Sequence, residues 1–455
     1  MFVKRCFEPL IAQASYLIGC HSAGEAIVID ANRDIEQYVT AAEQAGLRIT
    51  LVTETHIHAD YASGSQELAQ RTGASLGLSD EGGADWKYLF PHDRRLKHGD
   101  RMTLGNVKVD VLHTPGHTPE HLAFLITDGA AADRPIAAVT GDFVFVGDVG
   151  RPDLLEKAAK IAGTMESAAR TLWHSLQAFA NSPDWLQIWP GHGAGSACGK
   201  GISAIPHSTL GYERLFNWAF NVKSEDEFVA RVLSGQPDPP PYFAVMKTVN
   251  KQGLQAHGLA GPQGRPTLDE VLAQGHLVVD TRPAEQFAES HRHGVINIPL
   301  NGSFVTWAGW LIPYDRDFFV ITDRCDEVRR ALRLIGLDRI AGHFPEFAGP
   351  GGQSVPQMSV DQLNGAFTVI DVRNDNEWKA GHIPSAMHIP LGRLQERIVE
   401  VPADKPVVVQ CQMGGRSAIA ASILQKLGRT NVTNLAGGYA AWEANQHATP
   451  QATRA

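Results

Sequence analysis

The sequence has few cysteines, and their spacing pairs none of them. The 455-residue chain contains five, Cys6, Cys20, Cys198, Cys325 and Cys411. An odd number without paired spacing argues against a disulfide framework and indicates a reducing compartment. Each thiol must therefore be judged by its own surroundings.

The chain also lacks a long apolar run. No stretch approaches the roughly 18 consecutive apolar residues of a membrane helix, which excludes a span. Near the start, Lys4 and Arg5 precede an apolar segment, as in a secretory leader, but Glu8 and Gln13 interrupt that segment. Two strands around a polar turn fit the pattern better, so we expect no cleaved leader and a cytoplasmic protein.

Positive charge is not concentrated anywhere. The net charge of −9 is spread along the chain, and no Lys/Arg cluster with interleaved aromatic residues suggests a nucleic-acid surface. Small-molecule chemistry is therefore the default. The composition, 43% hydrophobic and 20% charged, is that of a globular protein, and the length predicts about three domains.

The C-terminal half contains a duplicated unit. Residues 277–300 match residues 368–391 at a constant offset, pairing Asp280 with Asp371, Arg282 with Arg373, Phe287 with Trp378 and His291 with His382. Each copy alternates helix-like and strand-like segments, which predicts a parallel α/β sheet. A Gly/Pro-rich linker, 347–356, separates the copies. The predicted domains are 1–250, 255–348 and 357–447.

In the first domain, histidines and aspartates follow strand-like segments. They occur in the order HxHxD, PGH, GD and GH, as His56, His58 and Asp60, then His117, Asp142 and His192. A lone histidine beside an apolar strand is more often a core residue than a ligand. Several of them at successive strand ends indicate a metal site at one edge of an α/β layer.

With that motif order, the first domain resembles the metallo-β-lactamase superfamily, which implies an αββα sandwich with metals at one edge. Most members carry HxHxDH and bind two metals for hydrolysis. Here Tyr61 stands at the last position. A phenol with a pKa near 10 is a poor ligand for zinc, so we expect the second metal position to lose a ligand.

The remaining ligands suit one ferrous iron, and a branch with one iron, the persulfide dioxygenases, is similar to this domain. The resemblance implies one Fe(II) per chain, held by His56, His117 and Asp142. The segment GDVGRPDL, 147–154, also matches that branch. Arg151 is then expected to position the anionic end of a thiol-bearing substrate.

Neighbouring residues receive supporting roles. We expect His58, Asp60 and His192 to orient the ligands, with a merely hydrogen-bonded buried group as the equal alternative. Tyr61 is expected to line the site. His113 and His121 are expected to be structural.

Cys198 lies in a glycine-rich loop after His192. One interpretation is a small loop residue. The other is a thiol beside iron that handles persulfide sulfur, with Lys200 favouring its thiolate.

The segment CQMGGRS, 411–417, follows a strand and precedes a helix. Such a turn surrounds the sulfur with backbone N–H groups and stabilises an anion. The segment 357–447 resembles the rhodanese sulfurtransferases, which implies a sulfane sulfur on Cys411. Arg416 would assist it, and Gln412, Met413, Gly414, Gly415 and Ser417 would contact the substrate. A phosphatase cradle has five residues between cysteine and arginine, whereas only four stand here.

The first copy of the repeat departs from this motif. Aligning residues 318–322 with 406–410 puts Asp323 where Cys411 stands, and Cys325 comes two positions late among acids. We therefore expect an inactive rhodanese-like module that packs between the outer domains.

The expected fold is thus α/β, with an N-terminal sandwich followed by two rhodanese-like domains with parallel sheets. The resemblances imply that a low-molecular-weight persulfide, of glutathione, coenzyme A or another thiol, reacts with O₂ to give sulfite and thiol. Cys411 would convert sulfite to thiosulfate or, in reverse, supply persulfide, in sulfide detoxification. The alternatives are a two-zinc thioester hydrolase of the glyoxalase II type and a non-catalytic sulfur carrier. No nucleic-acid or membrane partner is expected, and a homo-oligomer is left open.

Overall fold

The computed structural model describes residues 1–157, 163–254, 266–345 and 352–448. The chain divides into two compact units. The first comprises Met1–Ala256 with Arg330–Gly336, and the second comprises His257–Arg329 with Leu337–Ala455. The domain boundaries expected near 250 and 350 stay predictions, because 255–265 and 346–351, including the first half of the expected linker, lie outside the described residues.

The first unit contains two six-stranded sheets. The first sheet has its strands in chain order: β1 Phe2–Glu8, β2 Gln13–Cys20, β3 Glu25–Ile29, β4 Arg48–Thr53, β5 Ser75–Ser79 and β6 Arg94–Leu96. The second runs in reverse order from β12 to β7: β7 Arg101–Leu104, β8 Val107–His113, β9 Leu122–Asp128, β10 Ala137–Gly141, β11 Gln187–Pro190 and β12 Ser208–Thr209.

The two sheets stack face to face, with helices on their outer faces, so their strands are buried on both sides. Ile27 and Ile29 of β3 join the core between the sheets, whereas Ala26 and Val28 join the core under helices. The helices are α1 Glu36–Gln44, α2 Ser65–Thr72, α3 Leu154–Lys157, α4 Met165–Phe179, α5 Leu210–Phe216, α6 Glu225–Leu233 and α7 Tyr242–Gln252. Residues of α1 and α2 pack on the first sheet, and residues of α4, α5 and α6 pack on the second. The predicted αββα sandwich is confirmed.

The second unit contains two parallel sheets, one per copy of the repeat. The first, in order β14-β13-β15-β16, consists of β13 Leu277–Asp280, β14 Ile296–Asn297, β15 Phe318–Ile321 and β16 Ile340–Phe344. Its helices are α8 Leu268–Ala273, α9 Ala284–Glu289, α10 Phe304–Leu311 and α11 Cys325–Arg333.

The second copy has the order β17-β21-β20-β18-β19, with β17 Gln357–Met358, β18 Thr368–Asp371, β19 Met387–His388, β20 Val407–Gln410 and β21 Val432–Leu435. Its helices are α12 Asp375–Ala380, α13 Gly415–Lys426 and α14 Gly438–Ala448. Strands β13 and β18 both end at the repeated aspartate, as predicted. Among the described residues, no helix is long and apolar enough to cross a membrane.

Strand register corrects the alignment of the two copies at the thiol position. Asp280 pairs with Ile321 in the first copy, and Asp371 pairs with Gln410 in the second. The residue equivalent to Cys411 is therefore Thr322, and the assignment to Asp323 was wrong by one position. The Thr322 hydroxyl accepts the Arg324 N–H at 3.0 Å. An alcohol thus occupies the place of the thiol, which still favours an inactive module.

Helix α13, which begins at the Cys411 loop, is buried along nearly its whole length. Nine consecutive residues, 417–425, are buried, so neighbouring segments cover the helix on all sides. The first copy of the repeat, which contains β13–β16 and is called the middle copy below, covers part of this helix. The Ser422 hydroxyl accepts the Asn297 N–H at 2.9 Å, and Lys426 Nζ donates to the Gly294 carbonyl at 2.7 Å. The middle copy is therefore packed directly on the element that carries the loop.

Candidate functional site

The three expected iron ligands meet at the ends of β4, β8 and β10. His56, His117 and Asp142 are all buried, and each offers one ligand atom within 4.8 Å of the others. His117 Nε2 lies 3.6 Å from Asp142 Oδ2. The rings of His56 and His117 are 4.9 Å apart, edge to face. The structure thus brings the three side chains together at the strand ends, and their role as ligands stays a prediction.

Hydrogen bonds fix both imidazoles with one nitrogen toward the cluster. The Thr55 hydroxyl donates its proton to Asp30 at 2.9 Å, so it accepts from His56 Nδ1 at 2.9 Å. His117 Nδ1 donates to the Arg151 carbonyl at 3.0 Å. Both Nε2 atoms remain for a metal. Burial lowers the pKa of each imidazole, and the neutral form is the one that binds metal.

Asp142 supplies the strongest sign that the cluster fits a cation. Within the described part of the chain, neither carboxylate oxygen makes a hydrogen bond, although the side chain is buried. A buried carboxylate that accepts no hydrogen bond is costly, and a cation between the three side chains would satisfy it. Two imidazoles and one carboxylate form a suitable donor set for ferrous iron.

His58 lies beside this cluster but is not one of its three ligand residues. Its Nε2 lies 3.1 Å from Asp30 Oδ1. Burial alone would lower the pKa of His58, but the Asp30 carboxylate outweighs it and raises that pKa to about 9. The His58 ring packs against the rings of His56 and Tyr61, with centroids 4.2 and 4.4 Å away. This arrangement is that of a residue that braces the loop, in line with the supporting role expected for it.

Asp30 was missed by the sequence reasoning. It accepts the Thr55 N–H at 2.6 Å in addition to the Thr55 hydroxyl and His58, so one carboxylate holds the whole ligand loop. Its φ of 60° is rare for a residue other than glycine and costs on the order of 1–3 kcal/mol. Such strain clusters at functional sites. The available signal was its position directly after β3, because the other site residues also follow strands.

A second group of ligand atoms lies beside the first: Asp60, His192 and Cys198. His192 Nε2 is 3.3 Å from Asp60 Oδ2 and 3.3 Å from Asp142 Oδ1, and its Nδ1 donates to the Ala12 carbonyl at 3.0 Å. Asp142 therefore joins both groups. We expected Tyr61 to leave the second metal position one ligand short, but the Cys198 thiol, from the loop that follows His192, lies with Asp60 and His192 as a third candidate ligand.

Cys198 is not activated in the way the sequence suggested. Burial and then the Asp60 and Asp142 carboxylates raise the pKa of its thiol well above the usual value. Lys200 does not offset them, since its Nζ donates to the carbonyls of Arg231 and Ser234 at 2.6 and 2.7 Å. The expected help from Lys200 was wrong, although the thiol does lie at the metal cluster.

Tyr61 belongs to neither group of ligand atoms. It is fully buried, and its hydroxyl donates to the Asp30 carbonyl at 3.4 Å. Burial raises its pKa well above 10, which opposes a ligating phenolate. Its ring supports His58, so it stands behind the site.

Arg151 has a different role from the one expected. It is completely buried, and its guanidinium holds Asp153 through two bonds of 2.7 Å. The same group donates to the carbonyls of Ala197 at 3.0 Å and Pro237 at 2.8 Å. Through these contacts the Arg151 side chain holds three segments together, while the Arg151 carbonyl orients His117. The expectation of direct substrate contact is therefore corrected to a structural role.

The Cys411 loop forms the expected cradle around sulfur. The Gly414 N–H donates to Cys411 Sγ at 3.1 Å, and the Ser417 hydroxyl lies 3.5 Å from it. Gly414 has a φ of +101°, which favours glycine at this turn. Arg416 is held by Glu377 through two bonds of 2.6 Å. Gly414 and Ser417 thus bind the sulfur itself rather than standing free for a substrate.

A cavity of about 910 Å³ opens at this loop. From the C-terminal copy it is lined by Cys411, Gln412 and Met413 of the loop and by Gly415, Arg416 and Ile419 of α13. The Met413 side chain is 79% exposed, whereas Cys411 is 2% exposed. The sulfur therefore lies at the floor of the cavity, with the flexible Met413 side chain at its mouth.

Family models match both the N-terminal and the C-terminal part of the chain. Residues 9–192 match the model of the metallo-beta-lactamase superfamily, and residues 357–445 match the rhodanese-like domain. A solved structure of a metallo-beta-lactamase from Staphylococcus aureus is 43% identical, covers 75% of this chain and 98% of its own, and has a TM-score of 0.70.

Two of the curated relatives differ in the activity that their names give. A hydroxyacylglutathione hydrolase from Rhodospirillum rubrum is 30% identical over 39% of this chain, which spans 60% of that relative's length. The human mitochondrial persulfide dioxygenase ETHE1 is 28% identical over 42% of this chain and 68% of its own. The chain belongs to the metallo-beta-lactamase superfamily and carries a rhodanese-like domain at its C-terminal end.

Proposed function

We propose that this protein is a persulfide dioxygenase that holds one ferrous iron and couples it to sulfur transfer on Cys411. The observation that carries the proposal is the donor set of His56, His117 and Asp142, whose ligand atoms lie within 4.8 Å of one another. His58 is not part of this set, and its Nε2 pairs with Asp30 instead. His56, His117 and Asp142 would hold the metal, and a set of only three protein ligands suits a ferrous iron that reacts with O₂ and a substrate.

When bound, ferrous iron supplies the redox chemistry with O₂ that oxidises a persulfide sulfur. The overall reaction converts a thiol persulfide, O₂ and water into thiol, sulfite and two protons. The chain's own residues prepare this site: Thr55 and the Arg151 carbonyl hold the ligand rings, and burial keeps water from the cluster. Asp142 contributes the negative charge that offsets the metal.

Sulfite then has a place to react. A sulfane sulfur on Cys411 transfers to sulfite to give thiosulfate, as the bond between the two cysteine-borne sulfurs breaks and the thiolate of Cys411 leaves. The Gly414 N–H and the Ser417 hydroxyl stabilise that thiolate. The opposite direction, in which Cys411 supplies persulfide sulfur, uses the same loop. Both directions fit a role in sulfide detoxification.

The second candidate is a thioester hydrolase with two metals. The group formed by Asp60, His192 and Cys198, bridged by Asp142, favours it, and a hydroxyacylglutathione hydrolase is among the relatives. About one iron per chain with O₂ uptake supports the dioxygenase. Two zinc ions per chain with thioester cleavage and no O₂ uptake supports the hydrolase instead.

An oxygen-electrode assay with glutathione persulfide on anaerobically iron-loaded protein tests the proposal, with sulfite and thiosulfate measured as products. Asp142→Ala should abolish O₂ uptake, because it removes the only carboxylate of the three-residue donor set. The matched control is Asp110→Ala, which removes a half-buried carboxylate of β8 paired with Arg101. A non-catalytic sulfur carrier would bind persulfide on Cys411 in both variants and consume no O₂ in either.

A further inference from the structure

The cavity at Cys411 is walled mainly by the middle copy of the repeat. Its lining includes Thr281 and Arg282 after β13, Asn301 after β14, and Thr322 and Arg324 after β15. These positions are the carboxyl ends of the parallel strands, the edge at which open α/β sheets bind ligands. The inactive copy therefore keeps its ligand-binding edge and presents it to the thiol of the other copy.

The size of the cavity indicates what it accommodates. About 910 Å³ lies near the upper end of the roughly 300–1,000 Å³ typical of pockets for small organic ligands. Sulfite or thiosulfate alone would leave most of this space empty. An organic molecule that carries the sulfur fits the volume better.

The charges around the cavity are mixed. Arginines line it together with the carboxylates Glu285 and Asp323. Opposite charges in one cavity suit a zwitterion, which carries an ammonium group as well as carboxylates. A polyanion such as a nucleotide-linked thiol would be repelled by the carboxylates of Glu285 and Asp323.

The three cavity arginines differ in how firmly they are held. Arg282 is tied to the fully buried Asp280, and Arg416 to Glu377 through two bonds of 2.6 Å. Arg324 pairs with Glu327 at 2.5 Å, but both side chains are about half exposed, at 55% and 49%. An exposed pair of this kind is weak, so the Arg324 guanidinium can turn to a ligand.

We propose that the middle copy is the substrate-binding wall of the Cys411 site, where Arg324 binds the carboxylate of a zwitterionic, peptide-like thiol persulfide. The inference deepens the proposed function and rests on its sulfurtransferase part. The thiolate of Cys411 attacks the outer sulfur of the donor, a new S–S bond forms on Cys411, and the donor's S–S bond breaks. The donor leaves as its thiolate, and the proton stays on the transferred sulfur.

Anaerobic loading of Cys411 in the full-length protein tests this inference without the O₂-dependent reaction. Mass spectrometry of the Cys411 peptide gives the rate of persulfide formation against donor concentration. The donors are glutathione persulfide, coenzyme A persulfide, thiosulfate and the uncharged persulfide of 2-mercaptoethanol. The variants are Arg324→Gln, the charge-retaining Arg324→Lys, and the control Arg316→Gln, an exposed arginine of the same copy paired with Asp315.

We expect glutathione persulfide to load Cys411 at a lower half-saturating concentration than the other donors. Arg324→Gln should raise that concentration about fivefold without changing the limiting rate, because one exposed charged contact is lost. Arg324→Lys should retain most of the affinity, and Arg316→Gln should equal the wild type. Loading by the uncharged persulfide should not change in any variant.

Equal half-saturation in Arg324→Gln and wild type would overturn the inference and leave the sulfurtransferase proposal intact. The inference would also be overturned if Arg324→Gln raised the half-saturating concentration of the 2-mercaptoethanol persulfide by the same factor. A lower half-saturating concentration for coenzyme A persulfide or thiosulfate than for glutathione persulfide would overturn it as well. A wild-type protein that accepts sulfur from no donor would instead remove the sulfurtransferase proposal, and the inference with it.

Discussion

Gly438 gives the sharpest mutational test of the Cys411 loop. It has a φ of +58°, and a Cβ added there would lie 2.2 Å from the Cys411 carbonyl oxygen. Ordinary van der Waals contact begins at 3.4 Å, so the backbone beside the thiol would have to move by about 1.2 Å. That carbonyl also accepts the Tyr439 N–H at 2.7 Å, which ties the loop to the start of α14.

The expected cost of Gly438→Ala has two parts. The left-handed backbone costs an alanine about 1–2 kcal/mol. The forced displacement adds about 1–3 kcal/mol, as overpacking typically does. The free energy of unfolding of the C-terminal domain should therefore fall by about 2–5 kcal/mol, and sulfur loading of Cys411 should slow because the cradle is displaced.

Gly428→Ala is the matched control. Gly428 lies in the same domain with a φ of +84°, but a Cβ there meets nothing within 4 Å. It should lose only the backbone part and load Cys411 normally. Urea unfolding of the full chain and anaerobic loading measure the two effects. Equal stability and equal loading in the two variants would refute the close approach at Cys411.

Three further outcomes follow from the buried and charged groups. Arg151→Gln should lower the free energy of unfolding by about 3–5 kcal/mol in urea titration, because it leaves the Asp153 carboxylate buried without its partner; an unchanged midpoint would contradict the clamp. Burial would raise the pKa of Glu377, but Arg416 outweighs it and lowers that pKa. Its contribution to stability is therefore present above the unfolded value of about 4.5 and lost as pH falls through the lower folded value, and Glu377→Gln should flatten this part of a stability–pH curve. Cys198→Ser should keep about one iron per chain by elemental analysis, because the donor set of His56, His117 and Asp142 does not include the thiol; a loss of half the bound metal would indicate a second metal ion.

Much of the metal cluster could be predicted because its residues share one local signal. Each follows an apolar strand, and parallel or neighbouring strands bring their ends to one edge. Arg151 carries no such signal, and Cys198 has only its place in the loop after His192. The partners of these residues come from loops that are distant in sequence, and the spacing of nearby residues does not predict where such loops lie. Asp30 did carry the signal, but a single aspartate after a strand is too common to single out.

The error of one position in the alignment, which matched Asp323 instead of Thr322 with Cys411, has a similar cause. Strand β15 is apolar throughout, and so is most of β20, so the pattern alone offers no marker that fixes how the two strands align. Pairing with β13 and β18 supplies the marker, because both of those strands end at the repeated aspartate. The role of the middle copy depended on the same three-dimensional information, since its cavity-lining residues come from several separate turns.

The central claim is a single iron held by His56, His117 and Asp142. Its most direct test is metal analysis of the anaerobically iron-loaded protein together with O₂ uptake on adding glutathione persulfide. The account predicts about one iron per chain and O₂ consumed in equal amount to the sulfite formed when Cys411 is replaced by serine. Two metal ions per chain, or no O₂ uptake with iron bound, would contradict it.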